Sequence, residues 1–156
     1  MSSTGSSTDT VGARGTSAPT AAPPTLAGYH HIGLTVSDVA ASEVWYRRVF
    51  GMERLMVEAH GEGAGYAVVL GVPGTPLCLG LDHHHDNPGQ PFEERRTGLD
   101  HVSFAVGTRE ELDRWRGHLD QLAVPHSGIA EGTEPFDYAL IVFRDPDNIQ
   151  LEVIWS

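Results

Sequence analysis

An internal duplication constrains this chain more than any other feature. Residues 30–36 alternate, with Ile32, Leu34 and Val36 on one face and His31, Gly33 and Thr35 on the other, the period-2 mark of a strand. Residues 99–106 repeat that pattern, with Val102, Phe104 and Val106 set against His101, Ser103 and Ala105. A helix is predicted after each. Asp38 caps the first, which carries Ala41, Val44, Trp45 and Val49 at helical spacing and stops at Gly51. Thr108 and Glu111 form a capping box for the second, whose stripe is Leu112, Trp115, Leu119 and Leu122. Three short strands follow each helix, at 53–59, 66–70 and 77–81, then at 125–130, 136–143 and 149–155. The chain is therefore read as α+β, two tandem βαβββ modules.

The remaining segments fall around those modules. Residues 1–27 hold Ser, Thr, Gly, Ala and Pro with almost no large apolar side chain, the composition of a disordered leader. The single domain then spans 28–156, with module one at about 28–82, a polar linker at 83–98 and module two at 99–156. The linker opens with His83, His84 and His85. Successive residues of an extended chain point in opposite directions, so these three cannot all converge on one ion, and a solvated linker is the preferred reading over a metal cluster. Phe92 is expected to tack the linker down.

Charge and cysteine content narrow the partners. Ten Lys and Arg against 21 Asp and Glu give a net charge of −11, which repels nucleic acid and anionic membranes. Small molecules are the expected partners. The one cysteine, Cys78, allows no intrachain disulfide and sits in an apolar run, where it reads as a buried thiol. There is neither an apolar run of the roughly 18 residues a membrane span requires nor a secretory leader, so a cytoplasmic location is expected.

Overlaying the modules brings chemistry into view. His31 falls on His101, 70 residues on, and both histidines share a face with small residues that leave room for a cavity. In the last strand Gln150, Glu152 and Ile154 share a face, and a carboxylate in so apolar a strand calls for a partner. Two His and one carboxylate around a common cavity form a three-ligand site with open positions, suited to non-haem Fe(II) and related ions. The alternative is that each His is an ordinary hydrogen-bonded residue and that Glu152 sits at a sheet edge in water.

At these residues the sequence resembles the vicinal oxygen chelate superfamily, which includes glyoxalase I, bleomycin-binding proteins, fosfomycin-resistance enzymes, methylmalonyl-CoA epimerase and extradiol dioxygenases. The marks are 30–38 (His-His-Ile-Gly-Leu-Thr-Val-Ser-Asp), 98–104 (Gly-Leu-Asp-His-Val-Ser-Phe) and 143–152 (Phe-Arg-Asp-Pro-Asp-Asn-Ile-Gln-Leu-Glu). The resemblance implies βαβββ modules whose curved mixed sheets form a cup around a divalent metal. His31, His101 and Glu152 would hold it, Fe(II) first, with Mn(II), Ni(II) and Zn(II) the other ions considered. The metal would act as a Lewis acid on a substrate chelating it through neighbouring oxygens, or present O2 or water. Modules of this family pair within one chain or exchange between two, which would give a homodimer.

Departures from the family narrow the reaction. Glyoxalase I has a further carboxylate in the last strand of its first module and the epimerases a Gln; an ungapped overlay at a displacement of 73 places that position at Leu79. An aliphatic chain neither ligates nor abstracts a proton. The catalytic His and Tyr of extradiol enzymes would fall near Thr75 to Pro76 and at Val142, and the basic cluster expected around a phosphonate is missing. Tyr138, His126 and His60 are the remaining candidates for proton transfer, each equally readable as a strand residue with a solvent-facing tip. The expected function is a metal-dependent enzyme acting on a small oxygen-rich substrate, dioxygenase-like in reaction. The alternatives are a lyase or isomerase of glyoxalase type and a non-catalytic drug-binding protein whose cleft Trp45, Trp115 and Tyr66 would line.

Overall fold

Each module solves the same problem, covering one face of a small sheet with one helix. The computed structural model describes residues 24–156, so the expected leader, apart from its end, lies outside the described residues. Module one runs β1 (Ile32–Thr35), α1 (Val39–Phe50), β2 (Glu53–Ala59), β3 (Gly65–Gly71) and β4 (Cys78–His84). Module two runs β5 (Val102–Ala105), α2 (Arg109–Gln121), β6 (His126–Gly132), β7 (Tyr138–Arg144) and β8 (Gln150–Trp155). The two sheets have the same mixed topology, β1-β4-β3-β2 and β5-β8-β7-β6, with parallel β1/β4 and β5/β8 pairs. No strand of one sheet pairs with a strand of the other. The βαβββ duplication and the α+β class stand as expected.

Strand alternation sorts the side chains as the pattern predicts. Leu34, Val36, Leu79 and Leu81 in module one, and Val102, Ile141, Leu151 and Val153 in module two, join a single buried core. The opposite parity, His31, Gly33 and Thr35 on β1 and its flank, and His101, Ser103 and Ala105 on β5 and its flank, is exposed. The His31 face and the His101 face are thus the faces turned away from the shared core.

Helix α1 differs from its predicted stripe. Asp38 caps it by accepting from the Ala41 N–H, and Gly51 ends it with φ 66°, a left-handed position that suits glycine. Yet Val44 is exposed, and the buried side chains are Val39, Ser42, Glu43, Tyr46 and Val49. Polar partners explain the rotation. Tyr46 donates to Asp145 Oδ2 at 3.0 Å, Ser42 donates to Asp147 Oδ2 at 3.4 Å, and Arg54 Nε donates to Glu43 at 2.9 Å. Three polar side chains with partners are buried at little cost, and their hydroxyls and carboxylates hide the stripe from a hydrophobicity count.

Those bonds also join the modules. Asp145 and Asp147 belong to the turn before β8, so α1 of module one is tied to the last hairpin of module two. Phe50 extends the joint, its ring centroid 4.7 Å from Phe104, 5.5 Å from Trp115 and 6.0 Å from Phe143. His118 Nε2 lies 2.9 Å from the Val49 carbonyl. Phe92 packs against the core as expected, and its N–H donates to the Asp147 carbonyl at 2.8 Å. Burial pushes the Asp145 carboxyl up to about 6, and burial beside Asp145 raises the Tyr46 hydroxyl.

Candidate metal centre

The second module brings two of the three expected ligands together. The β5/β8 register sets Ser103 beside Glu152, and His101 stands two residues before Ser103 on the same face. His101 Nε2 is 3.6 Å from Glu152 Oε2. That is too long for a hydrogen bond and close to the roughly 3.0–3.4 Å between two atoms ligating one ion. The other ring nitrogen, Nδ1, donates to Asp100 Oδ1 at 2.7 Å. A carboxylate on Nδ1 fixes the tautomer and leaves the Nε2 lone pair directed at Glu152, the usual setting of a metal-ligating His. Glu152 is itself steadied by the Gln150 amide at 3.5 Å, and Gln150 accepts from Arg144 at 3.0 Å. Arg144 also pairs with Glu94, whose carboxyl its hydrogen bonds pull down to about 2. Module two therefore presents one nitrogen and one carboxylate oxygen to a common point, two of the donors a divalent ion takes.

His31 lies on the equivalent position of module one but not in that cluster. Its Nδ1 is 2.9 Å from Nδ1 of His30, and it makes no hydrogen bond or ion pair with His101 or Glu152. Among the described residues no three His, Cys, Asp or Glu side chains gather tightly enough to hold an ion.

The register of module one corrects the overlay. β1 pairs Gly33 with Gly80, just as β5 pairs Ser103 with Glu152. The position equivalent to Glu152 is Gly80, whereas Leu79 is a core residue, 2% exposed. The turn from β3 to β4 spans 72–77 and that from β7 to β8 spans 145–149, so module one has one residue more there. An ungapped overlay cannot see that insertion.

A carboxylate is present on this face after all, two residues on. Asp82 pairs with Thr35 and shares the face of Gly80, Gly33 and His31. Its Oδ2 leans back over the two glycines: a Cβ at Gly33 would stand 2.9 Å from it and one at Gly80 3.2 Å. Asp82 Oδ1 accepts from His60 Nε2 at 3.0 Å, and His60 Nδ1 is buried without a partner. Asp82 was not singled out from sequence; its parity with His31, once β4 is extended to His84, is the signal that finds it.

The other proton-transfer candidates divide. His126 has both nitrogens engaged, Nε2 with Asp120 at 3.1 Å and Nδ1 accepting from the Gly128 N–H at 3.0 Å, and reads as a structural residue. Tyr138 shares the parity of Leu140, Val142 and hence Glu152, and its ring lies over Gly132. A groove of about 570 Å³ between the two helices is lined by Phe50, Trp115 and His118 and by none of the three ligands. Trp45 sits in the aromatic cluster with Phe50 and Phe143 instead. No helix of the described residues is long and apolar enough to cross a membrane.

Comparisons with known proteins bear on this arrangement. A glyoxylase/bleomycin resistance protein/dioxygenase domain from Frankia sp. EAN1pec superposes with a TM-score of 0.73 at 31% identity, covering 85% of this chain and 99% of that one. A fosfomycin resistance protein, FosX, from Listeria monocytogenes, solved with Mn(II) and sulfate, has a TM-score of 0.57 at 20% identity, covering 85% and 94%. An uncharacterized Bacillus subtilis (strain 168) protein, YwkD, is 26% identical over 129 residues, 82% of this chain and 96% of its own. The model of the Glyoxalase/Bleomycin resistance protein/Dioxygenase superfamily matches residues 28–153, which take in both modules and every residue of the site. With its duplicated βαβββ units and equivalently placed histidines, the chain belongs to that superfamily.

Proposed function

We propose that this protein is a metal-dependent enzyme whose substrate is a small, oxygen-rich molecule chelating a divalent ion held by His31, His101 and Glu152. The observation that carries the reading is the convergence of His101 Nε2 and Glu152 Oε2, with Asp100 holding the imidazole in its ligating tautomer. A bound Fe(II), Mn(II), Ni(II) or Zn(II) would supply Lewis acidity toward the chelating oxygens. Because His31 and the His101–Glu152 pair lie on separate sheets, the reading requires module one of one copy to face module two of another, so the enzyme works as a homodimer.

The residues of module one support one reaction type over the other. Asp82 Oδ2 is the carboxylate oxygen that His60 leaves free, and it lies over Gly33 and Gly80 on the face of the sheet that His31 shares. His60 Nε2–H holds Oδ1, so Asp82 is oriented to take a proton at Oδ2 and return it. That pair favours a lyase or isomerase of glyoxalase type. The dioxygenase-like reading rests on the three-ligand set alone. Turnover under strict anaerobiosis separates the two. FosX is described as binding Mn(II), and a lactoylglutathione lyase from Agrobacterium tumefaciens shares the fold at a TM-score of 0.61, which keeps both the ion and the reaction class within the family's range.

Elemental analysis of untagged protein tests the metal centre directly. Wild type is expected to hold one ion per chain more than His31→Ala or Glu152→Ala. Equal metal content in all three proteins overturns the reading.

A further inference from the structure

The histidine run that the linker reading set aside is not solvated chain. His83 and His84 end β4, paired with Tyr66 and Gly65 of β3; the His85 N–H still donates to the Ala64 carbonyl at 3.0 Å, and His85 then enters the turn closed by the Asn87 N–H on the His84 carbonyl at 3.1 Å. Along the strand His83 and His84 project to opposite sides, and the turn brings the His85 ring back to the side of His83. His83 Nε2 and His85 Nδ1 stand 3.2 Å apart with their rings at 73°. His84 projects to the other side, its ring centroid 4.9 Å from that of His60. Two of the three histidines converge, His83 from the end of β4 and His85 from the turn that follows it.

We propose that His83 and His85 form a second metal-binding site, a two-imidazole chelate for a first-row transition ion of the Cu(II), Ni(II) or Zn(II) kind, separate from His31, His101 and Glu152. Four observations support it. The nitrogen separation of 3.2 Å matches the roughly 3.3 Å that two imidazoles adopt on one tetrahedral ion with bonds of about 2.0–2.1 Å. Without an ion the contact is a single N–H···N hydrogen bond; when the donor ring carries its proton on its other nitrogen instead, both facing nitrogens have lone pairs and a cation can take the place of the bridging hydrogen with no net loss of a proton. The His83 ring also rests on Tyr66, centroid to centroid 5.1 Å, which limits the rotamers that binding must freeze. His85 is exposed, leaving the remaining coordination positions to water or to a small oxygen or nitrogen ligand. The formal charge of −11 draws cations to the surface. Imidazole pairs favour the later first-row ions over Mg(II) and Ca(II).

Cu(II) titration of untagged protein, read by electron paramagnetic resonance, tests the site in a His31→Ala/Glu152→Ala background that removes the first centre. The background protein is expected to take up one Cu(II) with hyperfine structure from two nitrogens. Adding His83→Gln or His85→Ala should weaken that uptake at least about tenfold, the cost of giving up one of two nitrogen ligands for water. Adding His84→Ala should leave both affinity and spectrum unchanged. The proposal is overturned if His83→Gln and His85→Ala both keep the background affinity, or if His84→Ala loses as much as they do.

Discussion

Mixing two inactive variants reveals whether the metal centre lies within one chain or between two. On the proposed reading His31→Ala removes the ligand of module one and Glu152→Ala one ligand of module two, and each alone should abolish binding at that centre. Closing both modules of one chain around an ion would require prying α1 from module two. Tyr46 and Phe143, 0% and 2% exposed, would lose burial worth about 3–6 kcal/mol together. The bond from Tyr46 to Asp145 adds about 1.5–3 kcal/mol. An intrachain closed form costing on the order of 5 kcal/mol would be populated in fewer than about 0.1% of molecules. If two copies build each site, refolding the variants together yields half mixed dimers by chance. In each of these, one of the two sites draws His31 from the Glu152→Ala chain and His101 with Glu152 from the His31→Ala chain. Metal content should recover to about one quarter of the wild-type value. No recovery in a mixture whose dimers have demonstrably exchanged would refute the assignment of ligands to two copies.

Two further predictions concern the scaffold. The Asp145 carboxyl, pushed up to about 6 by burial, binds its proton more tightly folded than unfolded, so stability should fall as pH rises from about 4 to 6, by about 3 kcal/mol, and then level off. Urea unfolding of Asp145→Asn should lack that decline, whereas a slope equal to wild type would show that Asp145 does not cause it. Leu79→Ala should cost about 2–5 kcal/mol of stability in the same assay and leave the metal content per folded chain unchanged, the reverse of what a position facing the site would show.

The sequence is most legible where one physical rule governs a segment and least where partners far along the chain decide. The alternation at β1 and β5 was readable because each sheet has one buried and one open face, which also made the parity of His31, His101 and Glu152 readable. The buried side of α1 was not, since Ser42, Glu43 and Tyr46 are buried by bonds to residues as distant as Asp147, Arg54 and Asp145. A hydrophobicity count assigns them to solvent. Polarity marks 83–85 as linker, yet the half-buried end of β4 carries His83 and His84 in register with Tyr66 and Gly65 of β3.

The misplaced fourth position shows how duplication guides and misleads. One extra residue in the turn at 72–77 is enough to turn a core leucine into an apparent site residue, because a slip of one exchanges the two faces of a strand. With the register read from the β1/β4 pairs, module one has Gly80 where module two has Glu152, and its carboxylate stands two residues further on, about 6.6 Å along the strand. Gly33 and Gly80 let Asp82 lean back over part of that distance, and a side chain at either would obstruct it. A carboxylate so displaced does not reproduce the place of Glu152 beside an ion. On the proposed reading it stands where it meets the carbon next to the chelating oxygens, and His60 on its other oxygen keeps it aimed there. On the proposed reading the two modules divide the work, module two supplying a carboxylate for the ion and module one, with Gly80 at that position, a carboxylate for proton transfer.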